Sequence, residues 1–128
     1  MAIRFVVSRS CSEGSSGCVS AGAGAGCGVA YLLGGGVREI AHTLVNALAM
    51  DSGVICDGAK ASCAAKIALA VESGLLGLEM FKQGNQFYAG DGIVKKGVER
   101  TIASVSRLAQ DGMRETDKEI IRIMIEEC

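Results

Sequence analysis

Apolar positions recur at helical spacing along most of the chain. Val37, Ile40, Ala41, Leu44, Val45 and Leu48 share one face and predict a helix over 37–50. Asp57 is a suitable N-cap for a long helix over 57–82, with Ile67, Ala70, Val71, Gly74, Leu75 and Leu78 as its buried stripe. The segment 82–92, KQGNQFYAGDG, reads as a loop from its Gly, Asn and Asp content. Beyond it Val94, Val98, Ile102, Val105 and Ala109 step by three or four residues and predict a helix to about Asp111. Thr116 with Glu119 has the form of a capping box opening a last helix, whose apolar face is Ile120, Ile121, Met124 and Ile125. The Gly/Ala-rich stretch 17–36 predicts a loop that turns into a closely packed helix stopped by Gly34–Gly36. Residues 1–15 read as a flexible lead, strand-like at most. The expected fold is all-α, a compact bundle of about five helices.

Composition narrows the function classes. The 128 residues suit one domain, and 49% hydrophobic content is enough for a core. A net charge of −1 gives no basic field for nucleic acid. No stretch reads as long and apolar enough to cross a membrane, and no signal peptide is evident, so a cytoplasmic protein without membrane contact is expected. With 18 Gly and no Pro, glycine alone punctuates the helices. The run GAGAGCG (22–28) fails the dinucleotide fingerprint, because its third glycine position holds Val29.

Six cysteines are many for such a chain. In a reducing compartment they are packing groups, reactive thiols or metal ligands. Cys56 and Cys63 stand seven positions apart around Asp57 and Gly58. Close-paired structural zinc does not fit that spacing, and His42 is the single histidine. An iron–sulfur centre can take cysteines from separate segments. Cys27 in the Gly/Ala helix reads as packing, and Cys11 and Cys128 as exposed thiols. His42 reads as structural, Asp57 as a cap, and Asp91 equally as a turn residue.

Four blocks occur in order: GCVSAGAGAGCGVAYLLGG, SGVICDGAKASCAAKIA, GDGIVKKGVERTI and GMRETDKEIIRIM. Together they resemble the carboxyl-terminal part of the serine dehydratase alpha-chain-like family, in its L-cysteine desulfidase or UPF0597 branch. The resemblance runs from about residue 16 to the end, making 16–128 the family domain and a fragment of a longer protein. It implies that Cys18, Cys56 and Cys63 hold a [4Fe–4S] cluster with one iron open as a Lewis acid. It also implies β-elimination from L-cysteine or L-serine, giving ammonia and pyruvate, with sulfide from cysteine and without pyridoxal phosphate. Lys60 and Asp91 are the candidate substrate contacts. The catalytic base is expected on the amino-terminal part of the family, so an amino-terminal partner is expected. The alternatives are a non-catalytic, self-associating helical scaffold, which would form a homo-oligomer, and a metal- or redox-sensing module using the same thiols.

Overall fold

The computed structural model describes residues 14–55 and 61–126. Among these the chain forms five α-helices and no strand, the all-α bundle that the periodicity predicts. They are α1 (Gly14–Leu32), α2 (Val37–Asp51), α3 (Ala61–Lys82), α4 (Val98–Arg107), which runs into a π turn at Leu108–Gly112, and α5 (Arg114–Glu126). The expected cap Asp57 lies outside the described residues, as do residues 1–13 of the lead. Gly14–Ser16, read as the end of that lead and the approach to the family domain, already belong to α1.

Helices α1, α2 and α3 pack on one another and form the body of the fold. Their directions follow from the closest approaches. A Cβ on Gly22 would collide with the backbone of Ala70, and one on Gly26 would come within 2.5 Å of the Gly74 Cα. Both sequences advance together, so α1 and α3 run parallel. Gly77 lies against Thr43, Asn46 and Ala47, whereas Ser73 meets Asp51. Here the numbers run oppositely, so α2 is antiparallel to α3. The core is built from Val19, Ala23 and Cys27 of α1, Leu44, Ala47 and Leu48 of α2, and Ile102 of α4.

The buried face of α3 differs from the expected stripe. Ala70, Gly74 and Leu78 are buried as read, but Ile67 and Leu75 are exposed, while Ser73 and Gly77 are buried in their place. Backbones this close leave room only for small side chains, so size rather than apolarity selects the face. By length and composition α3 could cross a membrane, contrary to the expectation that no stretch would. It packs along both α1 and α2, and Lys66 and Glu72 interrupt it.

Glycine ends two helices where a positive φ is required. At the end of α1, Gly34 has φ 82°, its N–H donates to Tyr31 O, and that of Gly35 donates to Ala30 O. At the end of α3, Gly84 (φ 76°) donates to Phe81 O and Asn85 to Met80 O. Both are Schellman closures. The helix expected from Val94 starts later, at Val98, because Gly97 (φ 96°) still belongs to the loop. Thr101 fastens that junction: its fully buried hydroxyl accepts from Lys95 N–H and sits within donating distance of the Lys95 and Gly97 carbonyls. The Thr116–Glu119 capping box does not form. α5 begins at Arg114, and Asp117 N–H already bonds Met113 O, so Thr116 is inside the first turn.

Candidate functional site

The parallel register of α1 and α3 determines which cysteines can meet. Gly22 pairs with Ala70 and Gly26 with Gly74, so Cys18 of α1 is level with about Lys66. Cys63 lies three residues before that, about 4.5 Å along the axis at ~1.5 Å per residue. Two of the three candidate ligands therefore sit at one end of the α1–α3 pair, within about a helical turn of the same level. Cys63 is buried in the first turn of α3. Cys56 and Lys60, on the stretch leading into that turn, lie outside the described residues. Among the described residues no three His, Cys, Asp or Glu side chains form a cluster.

Cys27 belongs elsewhere. It is buried against α2, and its Sγ–H donates to Ile40 O at 3.6 Å. Burial pushes this thiol up to about 11. A thiol so reluctant to ionise is a poor ligand and a suitable core group, in keeping with its reading as packing. His42 stacks on Phe81 at 5.1 Å between ring centres with the planes 15° apart, an aromatic pair that fastens α2 to α3.

Asp91 is exposed in the loop after α3. Its Oδ2 accepts the Tyr88 N–H at 2.6 Å, its N–H donates to Tyr88 O, and its carbonyl accepts from Val94 N–H. With Ala49, Ser52, Phe87, Gly92 and Ile93 it lines an open cleft of about 590 Å³ at the C-terminal end of α2. That end is level with Ser73, ten residues along α3 from Cys63, or about 15 Å. In the fold Asp91 closes the 88–94 turn.

Two buried polar residues that the periodicity conceals organise this region. Asn46, wholly buried, donates through Nδ2 to Gly77 O (3.0 Å) and accepts at Oδ1 from Phe87 N–H (3.1 Å). One side chain so ties α2, α3 and the following loop together. Asp51 is also buried; its Oδ1 accepts from the Ser73 hydroxyl at 2.7 Å, while Oδ2 has no partner among the described residues. The signal for both is a polar residue among apolar neighbours near the middle or end of a helix that otherwise faces the core.

Burial raises the Asp51 carboxyl above its ordinary value, opposed by the Ser73 hydrogen bond. The folded chain therefore holds this proton more tightly than the unfolded one. That contribution to stability is complete below the unfolded carboxylate value of about 3.9 and is lost as pH rises through the folded value. Asp51→Asn is expected to flatten the fall in stability as pH rises above the unfolded carboxylate value, and to leave the variant more stable than the wild type at the upper end. Urea midpoints of both proteins at several pH values check this; parallel pH profiles would refute it.

A sequence profile for the serine dehydratase alpha chain matches residues 2–122. The chain belongs to the serine dehydratase alpha chain family. The chain is similar to UPF0597 proteins of Desulfitobacterium hafniense (61% identical over 88% of this chain), Lachnoclostridium phytofermentans (50% over 85%) and Treponema denticola (44% over 87%). In each case it covers 26% of the relative, so it spans about a quarter of the length of the family proteins it matches. No solved structure matches it.

Proposed function

We propose that this chain is the cluster-holding domain of an iron–sulfur lyase that eliminates the β-substituent of L-cysteine or L-serine. The observation that carries the reading is the parallel α1–α3 register, which brings Cys18 and Cys63 to the same end of the bundle. Membership of the serine dehydratase alpha chain family supports it. The described residues fit a [4Fe–4S] group in one respect, two ligand positions within about a helical turn of one level, and Cys56 precedes α3 in sequence at that same end. In this reading Cys18, Cys56 and Cys63 hold the cluster. When bound, it supplies a Lewis acid for the leaving hydroxyl or thiol.

The remaining roles follow from the chain's own side chains. Lys60, three residues before Cys63, is the group on this chain suited to a substrate carboxylate. Asp91, which also closes the 88–94 turn, is the second candidate contact. The proton-abstracting base belongs to the three-quarters of the family length that this chain lacks.

Anaerobic reconstitution with iron and sulfide tests the reading. The wild type should acquire a broad visible absorption band and about four irons per chain. Cys63→Ser and Cys18→Ser should each lose most of both, whereas Cys27→Ala should keep them. Equal iron in all four proteins would overturn the assignment. So would a loaded chain that, joined by the remainder of a relative, releases no pyruvate from either amino acid.

A further inference from the structure

Among the described residues helix α5 is hardly packed. None of its 13 residues is buried, and its substantial packing is against the preceding π turn alone. Yet it is amphipathic. Ile121 and Ile125, four apart on one face, are 57% and 69% exposed. Its charged residues are already satisfied among themselves along a stripe centred on Glu115, Glu119 and Arg122, since Lys118 pairs with Glu115 at 2.6 Å and Arg122 with Glu119 at 3.0 Å. A helix with a solvated, self-paired polar side and a bare apolar side is built to lie on another apolar surface.

We infer that α5 is a docking helix whose Ile121–Ile125 face seats on the portion of the family protein that this chain lacks. The inference rests on the reading above, in which that portion completes the site. Two observations favour this occupant over a second copy of the chain. First, the chain covers 26% of its relatives, so a neighbour about three times its size belongs to the same family protein. Second, α5 is not the one bare patch. Leu32 at the α1–α2 turn is 82% exposed and Leu76 on α3 is 53% exposed. A two-fold contact uses one self-complementary patch and would leave such others in water, whereas a larger neighbour can cover several.

The test is co-expression of the full chain with the part of the Desulfitobacterium hafniense protein that it does not match. Complex formation is read by size-exclusion chromatography with light scattering. The wild type should elute as a one-to-one complex. The double variant Ile121→Glu/Ile125→Glu should lose at least ten-fold in affinity, while its circular dichroism and melting temperature alone stay unchanged, because both side chains are in water. Glu119→Lys, on the opposite side, should bind as the wild type does.

Hydrogen exchange gives a second readout: α5 amides should be poorly protected in the free chain and protected in the complex. A wild type that forms no complex would overturn the inference. So would a double variant that binds unimpaired, or one whose sole effect is to abolish a homodimer. Iron loading and pyruvate release, measured on the same samples, separate this result from the lyase reading. A complex without pyruvate leaves docking intact and removes the lyase; pyruvate from the double variant does the reverse.

Discussion

Gly26→Val is expected to cost about 3 kcal/mol or more, a large part of the ~5–15 kcal/mol that holds a domain together. A Cβ there meets Gly74 Cα at 2.5 Å and the Gly74 carbonyl group at 2.7 Å, all of it backbone. Backbone cannot swing aside as a side-chain tip can, so α1 and α3 must separate and the contacts below Gly26 are lost with them. Gly24→Ala, one position off that face, has nothing within 4 Å of its new methyl. It should gain about 0.5–1 kcal/mol, the ordinary benefit of alanine over glycine inside a helix. Chemical denaturation of the two variants gives changes of opposite sign. Equal destabilisation would mean that close packing is not what holds these helices together. Because the same register levels Cys18 with Cys63, Gly26→Val should also lower iron uptake, whereas Gly24→Ala should not.

The second large effect is at Asn46. Asn46→Ala removes the acceptor for Phe87 N–H and the donor to Gly77 O, and leaves a void in the middle of α2. Leaving buried polar groups unpaired costs ~1–3 kcal/mol, and the void adds to it, for an expected total of about 3–4 kcal/mol. The loss should be uneven. Hydrogen exchange should rise most over the loop after α3, whose Phe87 is held by this one side chain, and less in α1. A uniform rise across all helices would show that Asn46 supports the core generally rather than tethering the loop.

How much of this was legible in the sequence depended on side-chain size. α2 was readable because Ile40, Leu44, Val45 and Leu48 repeat at helical spacing and face the core. Val37 fits the same pattern and is 86% exposed at the first position of the helix. α1 gave a weaker signal. Its glycines and alanines look alike on every side, and only Gly22 and Gly26 make the close approaches. In α3 the large residues Ile67 and Leu75 drew the stripe towards themselves, while the true contact face runs through Ser73, Gly74 and Gly77. Asn46 and Asp51 were hidden for the opposite reason: a polar residue on a helix reads as a solvent position until its partners are known. For the candidate site, the cysteines could be chosen from the chain, but not their proximity. Spacing along the sequence does not say that α1 and α3 run in the same direction, and that direction is what levels Cys18 with Cys63. For Asp91 the sequence offered a turn residue and a substrate contact equally, and the bond from the Tyr88 N–H shows the turn.

That shared direction also governs the order of assembly. A parallel pair of helices needs an intervening element to carry the chain back, here α2, so the Cys18 and Cys63 positions reach one end of the bundle only after 45 residues of chain have been closed into a loop. Closing such a loop is a non-local step, costly in chain entropy and late relative to the formation of each helix. A zinc finger gathers its ligands from neighbouring residues and folds around the ion. In the proposed reading the three-helix body must come first, and a cluster would be delivered to a chain that is already folded.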